Sequence, residues 1–88
     1  MNVLFTSKFS KDLDKINDDN LLEKVSNVVE ELEAALKLFD ISNVKKMKGF
    51  KDYYRIKIGY YRMGIYLEKD TIYIQRLVHR KDIYSVFP

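Results

Sequence analysis

Arg55, Lys57 and Arg62 fall on two short runs, 53 to 58 and 61 to 67, joined by the pair Gly59-Tyr60. Apolar residues in these runs alternate with polar or aromatic ones, the pattern of strands with one face on a core. A two-residue connection with a glycine favours a tight hairpin. Loop length fixes which residues face each other, so Lys57 is expected directly opposite Arg62, and Arg55 opposite Gly64. Like charges paired across strands cost a few tenths to about 1 kcal/mol, and a sheet that accepts this cost points to an anionic partner. Arg80 follows a third run, 71 to 79, with His79, Lys81 and Tyr84 close by.

Cleaving RNA through its 2′-hydroxyl needs a base, an acid for the leaving 5′-oxygen, and positive donors for a charged phosphorane-like transition state. Arg55, Lys57, Arg62 and Arg80 suit the donor role. Arginine keeps its proton at ordinary pH, and an unperturbed lysine or tyrosine is a poor base at neutrality. Clustered cations favour the uncharged form of a lysine, which makes Lys57 the candidate base beside Arg62. His79 is the single histidine, the one side-chain type here that titrates near neutrality unaided. It is either catalytic or a strand-end residue bonded to backbone. Tyr84 either anchors the C-terminal segment or stacks on a base and orients the scissile phosphate.

These side chains need a sheet. Counting outward from the second turn, Lys69-Asp70, puts Ile65 opposite Ile74 and Leu67 opposite Ile72 on the core face. Tyr53, Tyr66 and Tyr73 then share the outer face with Gln75 and His79, the tyrosines as sheet packing. Arg76 falls on the core side opposite Met63, which calls for an ion pair with a helix acid such as Asp12. Val3 to Thr6 reads as a first strand with Ser7 as helix cap. Phe9, Leu13 and Ile16 give a short helix over 8 to 16. Asn20 with Glu23 has capping-box spacing for a second helix, whose apolar positions 22, 25, 28, 29, 32, 36 and 39 predict roughly five turns. The two helices cover the apolar sheet face and leave the other for function. The fold class is α+β, in the order β-α-α-β-β-β.

The 88 residues make one small domain. Net charge is +3, but residues 1 to 39 hold five lysines against eight acids, net −3, and residues 40 to 88 hold eleven Lys/Arg against five acids, net +6. The positive charge thus belongs to the sheet half, interleaved with tyrosines, which favours nucleic-acid contact. The connection over 40 to 52 carries Lys45, Lys46, Lys48 and Lys51, and with Lys81 these extend one anion-binding surface. The acidic outer face of the second helix repels anionic lipid and nucleic acid alike. There is no cysteine, and one histidine with dispersed acids makes no metal site. Glycines 49, 59 and 64 fit no phosphate-binding loop, so no cofactor is expected. No apolar segment argues for secretion or membrane insertion, and the cytoplasm is the expected compartment.

Lys46-x-Lys48-Gly49, Tyr54-Arg55-Ile56-Lys57-Ile58-Gly59, Tyr61-Arg62 and His79-Arg80-Lys81-Asp82-Ile83-Tyr84, in this order and at this spacing, resemble the RelE/ParE toxin superfamily on its RelE-like side. The resemblance runs from the first strand to the C-terminus. It implies a type II toxin that cleaves mRNA in the ribosomal A site, in contact with rRNA, and is held inactive by a cognate antitoxin protein. An acidic or amphipathic segment of that antitoxin would cover the cationic face or the adjacent helices. Arg55 and Lys57 match the basic residues of the family's first meander strand, Arg62 the arginine of its G-x-Y-R step, and Arg80 and Tyr84 the basic and tyrosine positions near the end. Tyr60 departs, standing where the motif often has Asp, and no extended terminal helix follows. Alternatives within the same fold are a toxin that poisons DNA gyrase, as the ParE branch does, and a catalytically inactive antitoxin-binding relative.

Overall fold

A computed structural model describes residues 1–88. The elements are β1 (Asn2–Phe5), α1 (Ser7–Asp14), α2 (Asp19–Ala34), a 3-10 turn (Leu38–Asp40), β2 (Val44–Lys46), β3 (Tyr53–Ile58), β4 (Tyr61–Glu68), β5 (Thr71–His79) and α3 (Ile83–Val86). One sheet runs in the order β1-β5-β4-β3-β2, parallel only between β1 and β5. Phe9 from α1 and Leu21, Val25 and Leu32 from α2 pack with Ile56, Ile58, Met63, Ile65, Ile72, Ile74 and Leu77 from the sheet. No helix is long and apolar enough to cross a membrane.

The helix starts lie one or two residues before their expected positions. Thr6, not Ser7, caps α1, its side chain accepting the Phe9 N–H, and Asp18, ahead of Asn20, caps α2 by accepting the N–H groups of Asn20 and Leu21. Each supplies a side-chain oxygen to donors that the first helical turn leaves unpaired. The second helix also stops at Ala34, short of five turns. Leu38 and Ile41 from the following turn fill the core, while Leu36 and Phe39 stay exposed, so the apolar period outruns the helix itself. Val44–Lys46 forms a strand where a plain connection was expected, antiparallel to β3.

The hairpin register follows the loops. Ile58 pairs with Tyr61, Lys57 with Arg62, Arg55 with Gly64 and Tyr53 with Tyr66. Gly59 takes φ +59 at the first turn position, where a residue with Cβ would be strained. Between β4 and β5 the expected pairs hold from Glu68–Thr71 to Ile65–Ile74, after which a bulge leaves Gln75 without a partner and pairs Gly64 with Arg76. The extra residue reverses the faces of everything beyond it. Leu77, not Arg76, lies opposite Met63, and His79 pairs with Tyr61 at the helix-covered side instead of joining the outer face.

Arg76 nonetheless makes the expected ion pair. Past the end of β1 the edge of β5 is open, and there Arg76 Nε donates to Asp12 Oδ2 at 2.7 Å and Nη2 to Oδ1 at 3.1 Å. Asp12 Oδ2 also accepts the Leu77 N–H at 3.0 Å. It is the one ion pair in the molecule.

The outer sheet face is not bare, contrary to expectation. Ile83 and Phe87 pack with Met47 into a second core, flanked by Tyr53 and Val78. Gly64 makes room for this lid: a Cβ there would sit 2.8 Å from Phe87 Cγ and Cδ2. Gly64→Ala is therefore expected to destabilise the chain by about 1–3 kcal/mol, the usual cost of overpacking a filled site. Denaturant unfolding checks this, with Tyr61→Phe on the other face as a control.

Candidate functional site

Beside the C-terminal lid the outer face holds a cleft of about 530 Å³, lined by Asn43, Lys45, Arg55, Lys57, Arg62, Arg80, Lys81, Ile83 and Tyr84. Strand β2 contributes Lys45, which pairs with Arg55, next to the Lys57–Arg62 pair of β3 and β4. Two like-charge cross-strand pairs thus lie side by side, each costing stability by its own repulsion. The segment after β5 closes the cleft with Arg80, Lys81 and Tyr84. Six cations line it and no carboxylate does.

The arginines are held by neutral groups, which fixes their position and leaves their charge uncompensated. Arg62 Nη1 donates to the carbonyls of Gly59 (3.0 Å) and Tyr61 (2.9 Å) at the β3–β4 turn. Arg55 Nη1 donates to the Lys46 carbonyl at 3.1 Å, and its guanidinium lies over the Tyr84 ring, 5.3 Å from the centroid. Arg80 donates its backbone N–H to the Tyr60 carbonyl at 2.7 Å, and its guanidinium lies over the Tyr60 ring, also at 5.3 Å. Five N–H donors per guanidinium leave several free for an anion in each case.

Other expected site residues lie elsewhere. His79 lines a different hollow with Asp12, Lys15 and Tyr61, because the bulge at Gln75 turns it off the cationic face; its Nδ1 accepts the Lys81 N–H at 3.3 Å. Lys46 pairs with Tyr54 and so points to the opposite face from Lys45. Lys48 and Lys51 sit exposed in the turn between β2 and β3 and do not reach the cleft. Tyr84 is 65 % exposed, and the C-terminal anchors are Ile83 and Phe87. Asn43 and Ile83 line the cleft without having been singled out in the sequence. Asn43 holds φ +65 and gives its carbonyl to the Lys57 N–H at 3.0 Å; an Asn before an edge strand is the only signal that marks it.

These placements give a first test. If a phosphate backbone lies in the cleft, Lys45→Ala should lower the salt dependence of single-stranded RNA binding by about 0.7 in the logarithmic slope, one lost contact. Lys48→Ala should leave the slope unchanged. Equal effects from the two variants would place the RNA over the turn instead.

The sequence pattern described as the ParE toxin of the type II toxin-antitoxin system, parDE, matches residues 3–84. The chain belongs to the RelE/ParE toxin superfamily. Within this superfamily it is 40% identical over 89 residues to Toxin RelE3 of Methanocaldococcus jannaschii, the alignment covering 100% of both chains. The RelB-RelE antitoxin-toxin complex from Methanococcus jannaschii matches with TM-score 0.82 and 38% identity over 97% of this chain and 99% of that one. The YoeB dimer from Staphylococcus aureus matches with TM-score 0.70 at 20% identity, covering 90% and 95%, a likeness of fold alone. The α+β architecture of this RelE/ParE chain is that of its RelE-like neighbours.

Proposed function

We propose that the chain is the toxin of a type II toxin-antitoxin pair and acts as an endoribonuclease on mRNA in the ribosomal A site. The observation that carries this reading is the cleft of six cations with no acid, a surface that stabilises the extra charge of a phosphodiester passing to a pentacovalent transition state. Arg55, Arg62 and Arg80 are the charge-assisted donors. Lys57, directly across from Arg62, is the base for the 2′-hydroxyl, and the Tyr84 ring, braced by the Arg55 guanidinium, orients the nucleotide. The named relatives support a protein antitoxin as partner, since the matching archaeal structure is a RelB-RelE complex. A basic cleft of this kind is a natural seat for an acidic segment of that antitoxin.

Primer extension on mRNA recovered from translating ribosomes tests the reading, with cuts expected within the A-site codon. The family's description names ParE, which keeps gyrase poisoning as a second reading. DNA breaks that depend on gyrase, with intact mRNA, would favour it over the first.

A further inference from the structure

Two tyrosines flank the cationic cleft with an arginine against each ring, and only one of them lines it. Tyr84 does so; Tyr60 stands just outside, at the β3–β4 turn, and is 69 % exposed. We infer that Tyr60, backed by Arg80, is a stacking platform for the nucleobase next to the phosphodiester held in the cleft, which takes single-stranded RNA there. This rests on the nucleic-acid reading of the cleft and adds a binding residue to it.

Tyr60 is fixed and yet open. Its carbonyl accepts the Arg80 N–H at 2.7 Å, and the carbonyls on either side of it hold Arg62, so the ring is tied to two cleft arginines through one turn. The Arg80 guanidinium covers one face at 5.3 Å from the centroid. The His79 ring lies nearly parallel, at 13° with centroids 6.3 Å apart, as an offset stack that steadies the ring. His79 is itself braced edge-on by Tyr61 at 5.7 Å and 69°. A turn position needs no ring, and this one buries little of its own; nothing in the core requires it.

The chemistry selects the ligand. With the residue 69 % exposed, the ring keeps open surface beyond the Arg80 cation and the offset His79 ring for a second π-system, and every nucleobase offers one whatever its identity. The guanidinium that backs the ring also lines the cleft where the phosphate sits, so one residue, Arg80, touches both subsites. Base stacked on Tyr60 and phosphate on Arg80 and Arg62 is the arrangement found where aromatic platforms adjoin a positive groove. The ledge reads no hydrogen-bonding edge, so it favours unpaired RNA over duplex without choosing a base.

The test is binding of a short single-stranded RNA, made uncleavable by a 2′-deoxy nucleotide at the cut position, at low salt. One version carries all its bases and another is abasic at the nucleotide next to the cut. Tyr60→Ala is expected to weaken binding of the complete oligonucleotide by roughly five- to a hundredfold, the range for loss of one base–aromatic stack. Tyr60→Phe keeps the ring and should bind like the parent. The parent protein should lose a similar factor on the abasic oligonucleotide, on which Tyr60→Ala causes no further loss. A loss in Tyr60→Ala that persists in full on the abasic oligonucleotide would assign the ring to holding Arg80 alone and overturn the platform. So would failure of the parent to bind at low salt, or equal loss in the Phe and Ala variants. Because this readout needs no cleavage, any of these results leaves the ribosome assay free to decide the nuclease reading.

Discussion

Arg62→Ala is expected to slow mRNA cleavage by about 10²–10³-fold while leaving the protein as stable as the parent, or slightly more so. The activity loss follows from geometry. Arg62 is pinned by two turn carbonyls at 3.0 and 2.9 Å, so its remaining donors are aimed before substrate arrives, and removing one such preorganised donor costs about 10²–10³ in rate. Arg62 faces Lys57 across the hairpin and makes no ion pair, so the substitution removes a repulsion worth a few tenths to about 1 kcal/mol. Activity and stability therefore move in opposite directions. Arg62→Lys, which keeps charge but not the forked donors, should fall between parent and Ala. Single-turnover cleavage on ribosomes beside a thermal melt reads both. A rate within about threefold of the parent, against the donor effect expected, would show that the cleft is not where the phosphodiester reacts; a large fall in melting temperature would make Arg62 a structural residue.

This opposition explains why the cleft was legible in the sequence. Lysine and arginine at facing positions of a short hairpin have no folding rationale, and the two-residue turn at Gly59-Tyr60 fixes the pairing without any tertiary knowledge. Other features of the site are decided by contacts distant in sequence. The bulge at Gln75 moved His79 off the cationic face, though the apolar phase does change from Ile72 and Ile74 to Leu77, an even-to-odd step that only a bulge reconciles with one buried face. Strand β2 has one apolar residue among lysines, and its strand character comes from β3, its only neighbour. The C-terminal lid was signalled by Gly64, a glycine inside an otherwise continuous strand, which marks close approach by another segment. What approaches, the Phe87 ring, is set by the packing of residues 83 to 87 and has no counterpart in the pattern of β4 itself. That lid, by covering Gly64 and leaving Arg55 to Arg62 open, is what turns a charged face into a cleft.

The pair that the sequence placed on the wrong strand face but with the right partner yields the largest expected stability effect. Asp12 is 7 % exposed and Arg76 20 % at the side chain. Asp12→Ala leaves the guanidinium without its carboxylate and the Leu77 N–H without its acceptor at the open edge of β5, a loss of about 3 kcal/mol, the lower end for breaking a buried pair from one side. Arg76→Met, which removes the charge and keeps the stem, should cost less than Asp12→Ala, as the Leu77 N–H stays bonded. The pH dependence follows from the carboxyl. Burial opposes its charge, but the Arg76 hydrogen bond, the Leu77 N–H and the charges of Arg76 and Lys15 outweigh it and hold Asp12 below its ordinary value of 3.8. A carboxyl whose pKa is lower in the folded chain contributes stability that is full above the unfolded value and is lost as pH falls through the folded one. The gap in unfolding free energy between parent and Asp12→Asn should therefore be constant from neutrality down to about pH 5, and shrink below 3.8. Urea titrations from pH 7 to pH 2.5 would show it. A gap that instead widens on acidification would mean that folding raises the Asp12 pKa above its unfolded value, and that burial outweighs what Arg76 and the Leu77 N–H do for the carboxylate.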